Sequence, residues 1–593
     1  MAISFRQAFE EAWAAQADTV DKARDCRRDD KNCQSDVEAV TRLPTPGALA
    51  SAASLPKVRP PQSWQPRPAR IVRKPPLLVP ARGRGHDGPV LVKRDEPVIL
   101  PGRTPKLPLD PARARVRVLP AARLILSRSD TRTEDLLAFD DASSCSSQLC
   151  SDPVASAHEL VLGLDFGTSC AKVVVGDLAL KKAFAVPFCR PQRGDRGVQA
   201  YLLPARLFEV SSEFFLHGSG TVHRDLKLSL LASPESEDCR MHAVAYLALV
   251  IRRARAWLFT EHSDIYRHQN IVWRLALGIP VDRFDDSNLF KVYQTIGFAA
   301  WAAAGADKPV SIGSCKRALE LASSEQPGEL LDLEVNVVPE ITAQVYGFVI
   351  SDKFDKTGPN IFLMADVGAG TVDASLFHVK AARRGKHDFE IYTSVVSATG
   401  VMNLHRHRVS WWQEKLAAAG GASQLLTDLS EIKFQTDDVG RLPESFKAYF
   451  DNVETVIPDK SVDPDWDFFS RAIAAQVQGA AFWRAWKNDL LPKGALQNVP
   501  FFLCGGGSRM AYYQKLKHEL EHIQGCTWLS AVPRQLSVPD NFIAPGLEAS
   551  EYDRLTVAYG LCFLNIGEIK RALPDVQLRQ EVFSAWRENY IDN

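Results

Sequence analysis

The chain has 593 residues, 46% hydrophobic and 24% charged, and its 71 Lys and Arg balance 71 Asp and Glu. That length exceeds what one core organises, so two or more domains are expected, and the composition excludes wholesale disorder. No run approaches the roughly 18 consecutive apolar residues of a membrane span, and the opening MAISFRQAFEEAWAAQ lacks the basic-then-apolar layout of a secretory signal.

Residues 1–40 read as a short amphipathic helical segment, with Phe5, Phe9, Ala12 and Trp13 at helical spacing; it is either a docking helix or a frayed terminus. Residues 41–127 are basic and proline-rich. From Arg42 to Arg123 there are 17 Lys and Arg against 4 Asp and Glu, an excess of 13 hidden by the neutral total, and the same stretch holds 17 of the 36 prolines. Proline this frequent forbids helices and central strands, so an extended, largely unpacked backbone is expected. Three readings are open for it: a solvated linker, a tail for a protein partner, or a nucleic-acid or anionic-membrane contact. The last has the charge but only Trp64 as a stacking platform. An acidic, Ser-rich linker occupies 128–157, and Cys145 and Cys150 within it lack two further zinc ligands. The eleven cysteines, odd in number and irregular in spacing, read as reduced thiols of a cytoplasmic protein. Regular structure is expected from His158, so a chain lacking 1–127 should keep a folded core.

The next stretch, HELVLGLDFGTSCAKVVVGD (158–177), is an apolar strand ending at Asp165, a Gly-containing turn and a second apolar strand. NIFLMADVGAGTVDASLFHV (360–379) repeats the pattern around Asp366, Gly368 and Gly370. A strand that ends in Asp and turns through Gly and Thr suits a metal–phosphate site: the carboxylate holds Mg²⁺, directly or through water, and exposed N–H groups and hydroxyls take phosphate oxygens. Two such hairpins suggest two similar lobes facing one nucleotide. A third element, VPFFLCGGGSRMAYYQKL (499–516), runs from a strand through Gly505–Gly507 into a helix, a turn that lets backbone lie against a base or ribose. Elsewhere, the HRHR run at His405–Arg408 reads as a surface or phosphate-facing cluster. Trp411, Trp412, Trp483 and Trp486 read as helix-packing residues, and Val576–Tyr590 as a C-terminal helix packed on the body.

Taken in order, DFGTSCAKV (165–173), VVPEITAQVYGFV (337–349), MADVGAGTVDASLF (364–377), LSEIKFQT (429–436), FLCGGGSR (502–509) and VAYGLCFLNIG (557–567) resemble the nucleotide-binding domain of DnaK-type heat-shock chaperones, in the actin–hexokinase–heat-shock ATPase superfamily. The resemblance covers about 158–570 and implies an α/β, two-lobed actin-like ATPase fold with a mixed sheet in each lobe, behind a Pro/Arg-rich, largely disordered N-terminal extension. Lobe I would span 158–355, lobe II 356–550, and 551–593 would return to lobe I and end in a helix. It implies ATP or ADP with Mg²⁺ in the cleft. Asp165 and Asp366 would organise the metal. Gly167, Thr168 and Ser169 would hold phosphates from one lobe, and Gly368, Gly370 and Thr371 from the other, with Asp373 in support. Glu340 would sit near the attacking water. Glu431 and Lys433 would approach ribose and base, facing Gly505, Gly506, Ser508 and Arg509.

The chain departs from the family at three places. The family's first-lobe catalytic Lys has no aligned counterpart in FFLHGSGTVHRDLKLSLL (214–231), where Arg224 and Lys227 stand nearest. The family's peptide-binding sandwich and lid have no counterpart after the last motif, and the extra chain lies in front. A slow Mg²⁺-dependent ATPase with a chaperone-like switch on a protein partner or client is therefore the first functional expectation. A non-hydrolysing, ATP-stabilised scaffold and an actin-like filament former are the alternatives.

Overall fold

The computed structural model describes residues 114–126, 136–137 and 158–574, apart from 191–196, 267–268, 281–282, 284, 307–308, 325–326, 421, 434–441, 524 and 564–565. The expectations for 1–40, for most of the basic segment, for nearly all of the acidic linker and for the helix at Val576–Tyr590 lie outside the described residues. The remainder is mixed α/β, organised on two large mixed sheets of seven and six strands.

The first sheet opens with the hairpin read from the sequence. Strands β2 (His158–Phe166) and β3 (Cys170–Asp177) pair antiparallel, with Asp165 opposite Lys172. β4 (Lys182–Ala185) and β5 (Leu203–Pro204) both pair antiparallel with β3, while β9 (Ile271–Ile279) and β10 (Glu334–Pro339) extend the other side in parallel. β17 (Phe542–Ile543) closes the far edge against β4. A small antiparallel sheet of β6 (Leu207–Val210), β7 (Glu213–Phe215) and β8 (Thr221–His223) leads into α1 (Leu226–Ala232). Then α2 (Glu237–Glu261) and α3 (Ser287–Gly305) pack on the sheet. Residues 243–248 of α2 are all buried, so this helix runs through the core rather than across a surface.

The second sheet repeats the plan. β11 (Ile361–Val367) and β12 (Val372–Ala381) form the second hairpin, β13 (His387–Ser397) pairs antiparallel with β12, and β15 (Val499–Cys504) runs parallel to β11. β16 (Ala531–Arg534) and β18 (Ile566–Arg571) are the parallel edges. Two helices connect the sheets, α4 (Glu340–Val349) out of β10 and α7 (Thr556–Leu561) into β18. They cross closely: a Cβ on Gly560 would collide with the Ala343 carbonyl, and one on Gly347 would crowd the rings of Tyr552 and Tyr559.

Regular structure begins earlier than the sequence suggests. β1 (Arg115–Leu124) pairs antiparallel with β14 (Phe450–Val456), shifting register between Val118 and Arg123, which spans Pro120. Val116, Val118, Ala122, Leu124 and Leu126 pack on a cluster of Trp412, Leu429, Phe446 and Phe450 formed with α5 (Val401–Ala419) and α6 (Ser423–Ile432). Proline forbids a central strand but not this edge. Further on, Leu136 bridges Cys189, and the Leu137 N–H donates to the Phe188 carbonyl at 2.9 Å, so the chain reaches from the cluster beside the second sheet to the first. No disulfide joins the described cysteines, and among the described residues no helix is long and apolar enough to cross a membrane.

The HRHR run is not a surface cluster throughout. His405 and Arg408 are both fully buried on α5. Arg408 is satisfied by Asp465, at 2.6 and 3.0 Å, and by the carbonyls of Pro443 and Glu444. His405 lies between the Tyr449 hydroxyl, 2.8 Å from Nδ1, and the Ile432 carbonyl, 3.1 Å from Nε2. Burial pushes the imidazole down to about 4, with Arg406 and Arg408 adding to the effect and the Ile432 carbonyl opposing it. The unfolded chain takes this proton near pH 6.5 and the folded chain refuses it, so stability is whole above pH 6.5 and falls towards pH 4, by roughly 3 kcal/mol for this group. Chemical denaturation from pH 7.5 to 4.5 is expected to lose stability more steeply in the wild type than in His405→Gln; parallel profiles would contradict the assignment.

Candidate functional site

A cavity of about 830 Å³ opens where the two hairpin turns, the start of α4 and the glycine turn after β15 converge. It is lined by Asp165, Gly167, Thr168 and Ser169 from the first hairpin and by Asp366, Gly368, Thr371 and Asp373 from the second. Glu340 opens α4 beside them, and Gly505, Gly506 and Arg509 line the opposite wall. Elements hundreds of residues apart thus bring most of the proposed site residues together. Gly370 lies where the two turns touch: a Cβ there would press on Thr168 Cγ2 at 3.2 Å and Leu228 Cδ1 at 3.3 Å. Ser508 is buried behind the wall, its hydroxyl donating to the Gly505 carbonyl at 2.7 Å.

Glu431 and Lys433 stand apart from the cavity. Leu425, Leu429 and Ile432 of α6 bury against the Trp412 cluster, which leaves Glu431 exposed, and Lys433 donates to Gln413 Oε1 at 3.1 Å. The apolar stripe, not the charges, sets how this helix is turned.

At the cavity floor, acids and bases interleave. Lys172 Nζ donates to Asp165 Oδ2 at 2.8 Å, Lys227 Nζ to Glu340 Oε1 at 2.5 Å, and Gln344 Nε2 to Asp366 Oδ2 at 2.8 Å. Lys227 is only 6% exposed. Burial opposes its charge, but Glu340, Tyr293 and Asp165 outweigh that, and its pKa stands above the ordinary value. Burial also raises Glu340, against the pull of Lys227. Asp366 is pushed up to about 6, first by burial and then by Asp165 and Glu340, with Lys172 and Gln344 resisting. Three carboxylates therefore face two ammonium groups, and two of the carboxylates hold their protons more tightly than usual. Such a set favours a further cation.

The donor set fits Mg²⁺. Asp165 and Asp366 supply hard oxygens, and Gln344 Oε1 is buried at the same place with no hydrogen-bond partner among the described residues. Gly505 makes the approach feasible. Its φ is 83°, and a Cβ there would collide with the Asp366 carboxylate and the Val367 carbonyl.

The second hairpin turn is held from behind. The N–H groups of Gly400, Val401 and Met402, at the start of α5, donate to the carbonyls of Gly370, Gly368 and Ala369, at 3.2, 3.1 and 2.8 Å. Those carbonyls being engaged, the turn offers the cavity N–H donors and the Thr371 hydroxyl, a set suited to anionic oxygens. On the glycine-turn side, Arg509 is locked by Asp553 at 2.5 Å and Glu551 at 3.0 Å.

Lys172, Lys227, Gln344, Glu551 and Asp553 were not among the residues assigned roles from the sequence. The hairpin register implies the Asp165–Lys172 pair, because a Gly-containing turn sets the two strands opposite each other. Lys227 had only a weak signal, a lone cation in an apolar run beside a motif gap. The chain matches no protein-family model and no curated protein.

Proposed function

We propose that the chain is a Mg²⁺-dependent nucleotide-binding protein of the two-lobed, actin-like kind, with a chaperone-like ATPase whose nucleotide state switches a protein contact. The observation that supports hydrolysis is the buried Lys227–Glu340 pair at the floor of the cavity, beside Asp165 and Asp366. The unaligned family Lys favours a non-hydrolysing scaffold, and the buried Lys227 beside Glu340 supports hydrolysis instead.

In this reading, Thr168, Ser169, Thr371 and the turn N–H groups hold the β- and γ-phosphates between the hairpins. Lys227 faces the charge that builds on the transferred phosphoryl group, and Glu340 accepts a hydrogen bond from the attacking water and orients it. Asp165 and Asp366 would hold Mg²⁺, which supplies charge neutralisation at the phosphate oxygens. Phosphoryl transfer to water needs positioning and electrostatics rather than a covalent intermediate, and this set of groups meets both needs. The crossing of α4 and α7 is the natural pivot for closure over a ligand.

A single-turnover assay with Mg²⁺ and labelled ATP tests the reading. Wild type is expected to release phosphate, and Glu340→Ala to bind ATP and stall. Binding without turnover in both would leave the scaffold; no binding in either would end the nucleotide reading. Asp366→Ala is expected to abolish tight Mg²⁺-dependent nucleotide binding. In the wild type, the Mg²⁺-dependent part of affinity should fall as pH drops through about 6, where Asp366 takes its proton. Unchanged affinity in titration calorimetry would overturn the metal assignment.

A further inference from the structure

Away from the cavity, Glu209 on β6, His223 at the end of β8 and His242 on α2 bring one carboxylate oxygen and two imidazole nitrogens within 4.8 Å of one another. The pairing of β6 with β8 sets Leu207 opposite His223, so Glu209 and His223 are diagonal neighbours on one face. His223 Nε2 lies 2.8 Å from Glu209 Oε2. The rings of His223 and His242 stack at 3.9 Å and 27°, and Phe214 stands edge-on to both. All three residues are partly buried, and among the described residues no hydrogen bond reaches either nitrogen of His242. Asp238 lies one turn before His242 on the same helix.

We propose that Glu209, His223 and His242 form a binding site for a zinc-class divalent ion, which ties the small sheet to α2. Two nitrogens and one carboxylate oxygen on three separate elements are the ligand chemistry of an open zinc site, with water in the remaining position. Ligand atoms around zinc lie about 3.4 Å apart at bond lengths of about 2.0–2.1 Å. The three ligand atoms already stand within 4.8 Å of one another, so the ion would draw them together by a little over an ångström at most. The consequence reaches the cavity along the chain: His223 precedes Lys227 by four residues, with Asp225 between them in the left-handed region at φ 54°. An ion on His223 therefore fixes the base of the short helix that carries Lys227.

The test uses the full chain freed of metal by a chelator and then dialysed, titrated with Zn²⁺ by calorimetry and assayed by elemental analysis. One bound zinc per chain is expected, with a higher melting temperature and slower amide exchange across 223–232. His242→Phe keeps an aromatic ring against Phe214 and should lose that zinc while melting like the metal-free wild type; His223→Asn should lose it as well. The proposal is overturned if the wild type binds no zinc, or if both variants keep one equivalent at wild-type affinity. Because zinc is counted directly and without nucleotide, a negative result here is separate from failure of the ATPase reading.

Discussion

Lys227→Ala is expected to slow single-turnover phosphate release by about 10²–10³-fold, the usual cost of deleting one preorganised charge-stabilising group. Nucleotide binding should change far less, because the turn N–H groups and the two aspartates proposed to hold Mg²⁺ remain. The protein should also stay folded. Removing one partner of a buried ion pair ordinarily costs about 3–5 kcal/mol, since the other charge is stranded. Glu340 escapes part of that cost, because burial already raises its pKa and it can take up a proton. Glu340→Gln strands Lys227 instead, whose charge burial likewise opposes while Asp165 still favours it, and is expected to destabilise the chain to a similar degree. Quenched-flow turnover and thermal melts on both variants separate chemistry from folding. A folded Lys227→Ala protein releasing phosphate at the wild-type rate would remove Lys227 from the chemistry.

Truncation should show a sharp boundary. A chain lacking 1–113 is expected to melt like the full-length protein, whereas one lacking 1–127 loses β1 and with it Val116, Val118, Ala122, Leu124 and Leu126 from the Trp412 cluster. Fully burying a Val or Leu is worth about 1.5–3 kcal/mol. Four of these five side chains are only partly buried, so the loss is roughly 4–6 kcal/mol, a large share of the 5–15 kcal/mol typical of a folded domain. Paired melts, with a dye that reports exposed apolar surface around Trp412 and Phe450, measure it. Equal melting of the two truncations would show that β1 adds nothing.

The two hairpins were legible because each is local: an apolar strand, a glycine turn and a second strand state their pairing within about twenty residues. The glycine turn after β15 was legible for the same reason. The Lys227–Glu340 pair was not, since the partners lie 113 residues apart and meet only once α1 and α4 have docked. β1 carried a signal that proline obscured: Arg115, Val116, Arg117 and Val118 alternate as an edge strand should, but Pro120 and the surrounding prolines argued against any strand. His405 and Arg408 misled in the other direction. Charged and titratable residues are usually exposed, and partners distant in sequence, Asp465, Tyr449, Ile432 and the carbonyls of Pro443 and Glu444, make their burial tolerable. Glu431 and Lys433 were assigned by motif position, whereas the turn of α6 is fixed by three leucine and isoleucine side chains between and beside them.

The early strand also works as a leash. Leu126 is anchored in the Trp412 cluster beside the second sheet, and Leu136 is anchored on the first, leaving ten peptide steps to join them. At a maximum of about 3.3–3.6 Å per residue, those anchors cannot separate by more than about 36 Å while both hold. Any gaping of the cavity beyond that reach must peel one end away, either Leu136, which bridges Cys189 and packs on the first core, or the strand that ends in the Trp412 cluster. On the proposed reading, any opening and closing of the cavity would thus have a covalent stop.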